Sequence, residues 1–362
     1  MDIPAYHAAQ GAQVAADGIP LIYRDVESEY DAAIKAAVLL DRSHEGRLNL
    51  SGNDRVELLQ RMSTNDLHNM AASEGRPTIF TNANARVLER VLVYNRESLL
   101  LVAGPGRSEP LRNYQQRNIF FRDDVRIEML DQTTKQFSLH GPRADAIAEA
   151  LAPGAASLPD LQGIETTIAD VPAFLARRKP YSGAHWLIVT PAGGAVAVWA
   201  AIVAMGTDHG LLPAGSLTYN TLRIRAGRPA MGRELSTDFI PLEVGVWDEV
   251  SFSKGCYTGQ EIIARMESRQ RLAKTIVRLK LSEMVDAPAD LLHKDKRAGT
   301  LTSSVRAPDG SLFAIGVVKT ALAVPETTFS VGSATATVIE LAGVQPLAAQ
   351  TAAQTAAQEG DE

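Results

Sequence analysis

Residues 254–261 (Lys-Gly-Cys-Tyr-Thr-Gly-Gln-Glu) hold the only cysteine of the chain in a setting that suits thiol chemistry. The two glycines predict a turn, and the apolar spacing of residues 261–266 predicts a helix after it. Cys256 would then precede a helix N-terminus, where unpaired N–H groups and the helix dipole favour an anion, and Lys254 adds a positive charge. These features favour the thiolate, which is the nucleophilic, oxidisable and metal-binding form of cysteine. The alternative is a buried, inert cysteine, a common fate of an unpaired thiol.

A second candidate is a cluster of four arginines within eleven residues, beside a glycine: Arg223, Arg225, Arg228 and Arg233. Guanidinium groups pair with carboxylates through two parallel hydrogen bonds. The cluster therefore predicts a site for a carboxylate tail. The alternative is an exposed face that carries solvated charges.

The composition is that of an ordinary globular protein, because 45% hydrophobic and 22% charged residues over 362 positions permit two or three packed cores. The net charge of −6 argues against a broad nucleic-acid surface. No apolar run approaches the roughly 18 to 20 residues that span a bilayer, and the N-terminal residues lack a signal-peptide pattern. We therefore expect a cytoplasmic protein with neither a nucleic acid nor a membrane as its partner.

The cysteine and histidine content limits the metal chemistry. A single cysteine forms no internal disulfide and supplies no all-cysteine site, so any iron–sulfur cluster would take ligands from a partner. The seven histidines show no paired metal-ligand spacing, and the chain has neither a Walker loop nor a serine-hydrolase elbow. We expect no metal to be bound by this chain alone.

The hydrophobic pattern alternates between helical and strand spacing, which predicts an α+β fold. Helices are predicted at residues 30–40, 53–62 and 143–151. Strands are predicted at residues 47–50, 87–94, 98–103, 136–141, 185–189, 273–281 and 311–319. The order strand, helix, strand occurs twice, and the last two strands predict a small C-terminal antiparallel β-barrel.

The cysteine motif, followed by Ile-Ile-Ala-Arg, resembles the signature of the YgfZ/Iba57 family of folate-binding proteins, which support iron–sulfur enzymes. Besides the cysteine and the lysine, its motif positions are Gly255, Tyr257, Gly259, Gln260, Glu261 and Arg265. Four other segments resemble the wider superfamily that includes the glycine-cleavage T-protein, an aminomethyltransferase: residues 39–47, 59–66, 222–229 and 240–245.

The resemblance covers about residues 30–340 and implies a T-protein-like fold of two similar α+β halves around a cleft for tetrahydrofolate. It divides the chain into an N-terminal extension (1–29), a folate-binding region (30–270, with a boundary near 135), the barrel domain (271–342) and a tail (343–362). The Ala/Gln-rich composition of the tail predicts disorder.

The resemblance implies that Glu89 takes the place of the acidic residue that positions the folate nitrogen in the T-protein. If folate binds, Arg223 is a candidate partner for its glutamate tail, and Tyr181, Trp186 or Trp247 would supply a stacking wall. The alternative for these large aromatic residues is a place in the core.

Two departures weaken the likeness to a catalytic T-protein. Glu89 is followed by Arg90 where an Asp-containing acidic segment is expected, and residues 181–186 lack the carboxylate that contacts the pterin. Since a small misplacement of a catalytic group costs much of the rate, transferase activity is in doubt.

The expected function is therefore folate binding in support of iron–sulfur enzymes, with Cys256 as the essential thiol and Lys254 keeping it anionic. The implied partners are iron–sulfur client or assembly proteins, and the clients by analogy include radical tRNA methylthiolases. One alternative is a folate-dependent aminomethyltransferase or demethylase that uses Glu89. Another is a scaffold without catalytic activity.

Overall fold

A computed structural model describes residues 1–269 and 272–346. Its α-helices are α1 (Ile3–Ala9), α2 (Val26–Lys35), α3 (Arg55–Met62), α4 (Ser108–Gln116), α5 (Ala144–Leu151), α6 (Ala195–Gly206), α7 (Ser216–Arg225) and α8 (Gln260–Arg269). Short 3-10 helices occupy Ala155–Ser157, Ala192–Gly194, Thr207–His209, Pro241–Val244, Trp247–Glu249 and Thr320–Leu322. None of the helices in the described ranges is long and apolar enough to cross a membrane.

Strands account for most of the remaining regular structure. They are β1 (Gln13–Val14), β2 (Pro20–Ile22), β3 (Ala37–Asp41), β4 (Glu45–Ser51), β5 (Gly75–Thr81), β6 (Val87–Asn95), β7 (Leu99–Pro105), β8 (Arg126–Met129), β9 (Thr134–Gly141), β10 (Gly163–Ile168), β11 (Val171–Arg178), β12 (Ala184–Pro191), β13 (Leu211–Ala214), β14 (Lys274–Leu281), β15 (Ala289–His293), β16 (Lys296–Arg306), β17 (Leu312–Lys319), β18 (Thr328–Val331) and β19 (Ala334–Leu341). The predicted α+β fold class is confirmed.

One predicted helix was wrong over its second half. The helix expected at residues 30–40 is α2, which starts after the capping side chain of Asp25 and stops at Lys35. The apolar residues that follow form β3, which is buried throughout and pairs in parallel with β13. A short apolar run of this kind fits a buried strand and a buried helix equally well, so its periodicity could not separate them.

The described chain divides into two compact units. Unit 1 comprises Met1–Leu59, Leu67–Pro77 and Val91–Leu222, and unit 2 comprises Gln60–Asp66, Thr78–Arg90 and the chain from Arg223 onward. Both units are therefore assembled from several separate stretches of the chain. The predicted disordered tail lies largely outside the described residues, which end at 346.

Unit 1 is built on a six-stranded sheet in the order β10-β11-β12-β9-β3-β13. One face of this sheet packs on helices α5 and α6 through a core that includes Phe137, Trp186 and Trp199. A five-stranded sheet in the order β5-β6-β7-β4-β8 leaves β8 at its edge.

Unit 2 contains a closed barrel in the order β14-β17-β16-β15-β18-β19, and all of its pairings are antiparallel. Its interior is lined by aliphatic side chains and Phe329. The predicted C-terminal barrel is confirmed, and it also contains strands that the sequence analysis did not identify.

Candidate functional site

The cysteine loop of unit 2 presents Cys256 to solvent. The next residue, Tyr257, is 7% exposed and packs in a cluster with Leu242 and Ile263. Helix α8 begins at Gln260, four positions after the cysteine. The thiol is thus an exposed group on a loop whose next side chain is anchored in the core.

Lys254 fixes the start of this loop. Its Nζ donates hydrogen bonds to the carbonyl oxygens of Gln60, Ser63 and Asn65 at 2.7, 2.6 and 2.7 Å. It also lies 5.4 Å from the centre of the Tyr257 ring. The ammonium group therefore binds the end of α3 and the segment that follows, a structural role that the sequence analysis did not assign to it.

The second glycine of the motif is required by a close approach of backbone. Gly259 has a φ of +86°, and a Cβ at this position would lie 2.7 Å from the carbonyl oxygen of Asn82. Thr81 donates a hydrogen bond from its hydroxyl to the carbonyl of Thr258 in the same place. Of the other motif residues, Gln260 starts α8, and Glu261 and Arg265 are exposed on it.

Glu89, the candidate acid or base, is buried at 3% exposure and accepts a hydrogen bond from the backbone N–H of Arg90 at 3.3 Å. Arg90 forms a bidentate ion pair with Glu249, with N···O distances of 2.6 and 2.7 Å. Glu249 is itself 3% exposed. The positive charge that the sequence places beside Glu89 is thus held by a second buried carboxylate.

Arg223, the candidate for the carboxylate tail, is buried in unit 2. Its guanidinium donates to the carboxylate of Glu234 at 3.3 Å, to the carbonyl of Arg228 and to the hydroxyl of Ser303. Thr302 and Ser303 donate to the other oxygen of Glu234. Arg223 therefore helps to hold β16 in place. Arg233, another member of the arginine cluster, is exposed.

Two of the candidate aromatic residues lie in different units. Trp247 in unit 2 is partly buried and donates from Nε1 to the carbonyl of Leu242 at 3.0 Å. Tyr181 in unit 1 lies in a group of rings whose centroids are 5.1 Å away for His185, 5.6 Å for His140 and 5.7 Å for Tyr219. Of the residues predicted to contact folate, Tyr181 adjoins a buried polar cluster of unit 1 that contains His140 and His185.

A buried polar cluster in unit 1 escaped the sequence analysis. Strand β9 places Gln136, Ser138 and His140 on one face, because alternate residues of a strand point the same way. All three are at most 4% exposed. The remaining members come from neighbouring elements: Arg42, Glu45, Arg178, His185 and Tyr219. The signal was present in the sequence as the polar residues Gln136, Ser138 and His140 alternating with the apolar residues Phe137 and Leu139.

The charged members of the polar cluster centre on Glu45. Arg42 makes two hydrogen bonds to one oxygen of Glu45, at 2.8 and 2.9 Å, and stacks on the Tyr219 ring at 3.6 Å. Gln136 donates to the other oxygen, and Arg178 lies 3.9 Å from it. Burial alone would raise the pKa of Glu45, but the charges of Arg42 and Arg178 outweigh it and hold the pKa at about 2.

The hydrogen bonds of the polar cluster define the protonation of its two histidines. His185 Nδ1 lies 3.0 Å from the carbonyl of Lys179, which can only accept, so Nδ1 carries the proton. Ser138 then donates its one proton to His185 Nε2 at 2.9 Å and accepts from His140 Nε2 at 2.7 Å. His140 Nδ1 is left as a bare acceptor, and neither it nor Gln136 Oε1 has a hydrogen-bond partner among the described residues.

Both histidines are held neutral. Burial, together with the charges of Arg42 and Arg178, lowers the pKa of His140 to about 3. Burial and the neighbouring His140 also lower the pKa of His185 well below its ordinary value. The rings stack with centroids 3.9 Å apart, an arrangement that suits two uncharged imidazoles.

The described residues contain no group of three or more His, Cys, Asp and Glu side chains arranged to hold a metal ion. The structure offers two candidate places for chemistry: the polar cluster in unit 1 and the exposed thiol in unit 2.

Comparison with known proteins identifies the class. The GCVT N-terminal domain model matches residues 2–254, and the chain belongs to this family. A putative chloroplast transferase of Arabidopsis thaliana is 30% identical over 90% of this chain and 75% of that protein. An aminomethyltransferase of Thermoanaerobacter sp. is 31% identical over 74% of this chain and 73% of that protein.

A solved structure supports the same fold. The glycine cleavage system aminomethyltransferase T from Bartonella henselae superposes with a TM-score of 0.81 at 22% identity, over 93% of this chain and 96% of that one. The chain therefore has the aminomethyltransferase T fold that the sequence analysis expected, with a closed six-stranded C-terminal barrel.

Proposed function

We propose that this protein is a tetrahydrofolate-binding member of the YgfZ branch of the family, and that it supports assembly or maintenance of iron–sulfur enzymes through Cys256. The observation that carries the proposal is the cysteine loop. Its thiol is exposed, whereas the residues around it are fixed by Lys254, Tyr257 and Gly259. A reactive cysteine needs such access, and a cysteine retained only for packing would be buried.

The polar cluster of unit 1 suits the folate part of the proposal. A pterin is a flat ring with several N–H donors, and Tyr181 offers a ring face beside the bare acceptor of His140. His140 and Gln136 could thus supply acceptors in a region where the T-protein carboxylate is missing from residues 181–186. Bound folate would supply one-carbon or redox chemistry, and this chain would bind and orient it.

A second candidate is the folate-dependent aminomethyltransferase or demethylase reaction, and the names of the relatives favour it. Glu89 would serve as the acid or base. Against it, the sequence has Arg90 where an acidic segment is expected, and the Arg90 guanidinium is committed to a bidentate pair with Glu249.

The test replaces Cys256→Ser, with Ser253→Ala on the same exposed loop as the matched control. We expect the Cys256 variant to fold and to bind 5-formyltetrahydrofolate like the wild type in equilibrium dialysis. We also expect it to fail to restore iron–sulfur enzyme activity in cells that lack the protein, whereas the control restores it fully.

Full restoration by Cys256→Ser would refute the thiol role. Turnover of tetrahydrofolate with an amine or methyl donor, lost in Glu89→Gln and kept in Cys256→Ser, would establish the transferase instead. If neither variant changes cellular function, the result favours the alternative of a scaffold protein without catalytic activity.

A further inference from the structure

Phe120 and Phe121 are the most exposed large apolar side chains of the described chain apart from Met1. Phe120 is 65% exposed and Phe121 103% exposed, whereas the next is Val324 at 48%. They follow α4 in unit 1, and the partly buried Ile119 precedes them. We call Ile119, Phe120 and Phe121 the aromatic tip. Adjacent aromatic residues left in water are costly for a soluble protein unless something covers them.

The loop that carries the aromatic tip is held in place by backbone hydrogen bonds. The carboxylate of Asp123 accepts from the N–H of Phe120 at 2.8 Å, and the N–H of Asp123 donates back to the carbonyl of Phe120 at 2.9 Å. Asp124 is tied to Asp54 and Asn53 by further hydrogen bonds. The two rings are therefore presented to solvent by a fixed turn.

A glycine shows how closely this loop is held. Gly52 has a φ of +100°, and a Cβ there would lie 2.1 Å from the carbonyl oxygen of Asp124. Only glycine permits this approach without moving the backbone. The close approach of Gly52 thus fixes the backbone of the loop at Asp124.

Three exposed arginines lie close to the aromatic tip in the sequence: Arg117, Arg122 and Arg126. Arg126 begins β8, the edge strand of the five-stranded sheet. None of the three guanidinium groups forms an ion pair or a hydrogen bond within residues 1–269 and 272–346. Residues 117–126 contain these three arginines and two aspartates, a net charge of +1, in a protein whose net charge is −6.

The size of the surface distinguishes among possible partners. Two phenylalanine side chains supply roughly 300 to 500 Å² of apolar area. A stable interface with a folded protein buries about 800 Å² on each partner. An exposed apolar tip with arginines beside it in the sequence instead matches the interface of a lipid bilayer, where rings enter the acyl boundary and guanidinium groups contact phosphates.

We infer that the aromatic tip, with Arg117, Arg122 and Arg126, is a peripheral docking site for an anionic lipid surface. The rings enter the membrane interface, and the arginines neutralise lipid headgroups. A contact of this kind needs no membrane-spanning helix, and it is the opposite of the expectation from the sequence that the protein has no membrane partner.

The experiment is cosedimentation of the full chain with vesicles of phosphatidylcholine alone and of phosphatidylcholine mixed with phosphatidylglycerol. We expect binding to the mixed vesicles that weakens as salt is added. A variant carrying F120S and F121S, and another carrying R117Q, R122Q and R126Q, should each bind about a hundredfold more weakly. Val324→Ser, at an exposed apolar position of unit 2, is the matched control and should bind like the wild type.

A direct readout comes from Phe121→Trp, whose fluorescence should shift to the blue and be quenched by brominated lipids when the mixed vesicles are added. Circular dichroism and thermal unfolding check that each variant folds. Three results would overturn the inference: absence of vesicle binding by the wild type, equal binding by the F120S/F121S variant, or sedimentation without vesicles that these substitutions abolish. The last would show that the tip contacts another copy of the chain.

Discussion

His140 and His185 are buried imidazoles whose pKa values are lower in the folded protein than in the unfolded chain. The ordinary pKa of His140 is 6.5, and it falls to about 3 in the folded protein. Between these values the unfolded chain binds a proton that the folded chain does not. The free energy of unfolding therefore decreases as the pH falls from 6.5 toward 3, by about 1.4 kcal/mol per pH unit for a fully neutral histidine.

The prediction is that His140→Leu reduces this dependence on pH. We expect the slope of unfolding free energy against pH, measured by urea denaturation between pH 6.5 and 4, to fall by about 1 kcal/mol per pH unit. Phe137→Leu is the control, since Phe137 lies on the same strand but faces the apolar core. It should lower the stability equally at every pH. An unchanged slope in His140→Leu would contradict the assignment of a neutral His140.

At the scale of elements, one arginine joins β4 to β9. Arg47 is 0% exposed, and its guanidinium donates to the carbonyls of Ser43, Glu45 and Thr134 and to the hydroxyl of Thr134. It also donates to the carbonyl of Asp131, which precedes β9. A planar group with five N–H donors is needed to reach so many acceptors at once.

We expect Arg47→Lys to lower the unfolding free energy by about 2 to 4 kcal/mol, because lysine has fewer donors and leaves buried carbonyls unpaired. Arg306→Lys on an exposed position of β16 is the matched control and should change it by less than about 0.5 kcal/mol. Urea unfolding monitored by tryptophan fluorescence gives both values. If Arg47→Lys lowers the unfolding free energy no more than the control does, the forked geometry of the guanidinium group is unimportant for stability.

The sequence predicted α5 from its apolar face, and it predicted β6 and β12 from short apolar runs. It did not predict α6, whose residues are apolar all round and therefore show no helical period. The sequence predicted that Arg223 binds a carboxylate ligand, because arginine clusters suit carboxylates. The structure instead pairs Arg223 with the buried carboxylate of Glu234, eleven residues further along the chain. A pairing of that kind depends on tertiary contacts, which spacing alone does not reveal.

The two candidate sites differ in the same way: the cysteine loop is local in the sequence, and the polar cluster depends on tertiary contacts. Residues 254–261 are contiguous, so the cysteine loop could be recognised from the sequence. The polar cluster is assembled from the residue after β3 and from β4, β9, β11, β12 and α7, and its members become neighbours only when β9 pairs with both β12 and β3. The alternation of Gln136, Ser138 and His140 was the one local sign of it.

For the whole molecule, acid sensitivity has an identifiable source in unit 1. This unit holds buried groups whose pKa values are lowered, among them Glu45, His140 and His185. In unit 2, burial raises the pKa of Tyr257 to about 12, and this side chain stays uncharged in acid. Below pH 6.5 the unfolded form of unit 1 takes up protons that its folded form does not, first on the histidines and below about 4.5 on Glu45.

Lowering the pH should therefore open unit 1 before unit 2. We expect hydrogen exchange, converted to free energies of opening, to show the amides of β9 and β12 losing protection between pH 6.5 and 4 while those of β14 and β17 keep theirs. His140→Leu should shift the loss in β9 and β12 to lower pH and leave the barrel amides unchanged. If the barrel amides lose protection first, or if His140→Leu moves both sets together, acid stability is not controlled by the buried groups of unit 1.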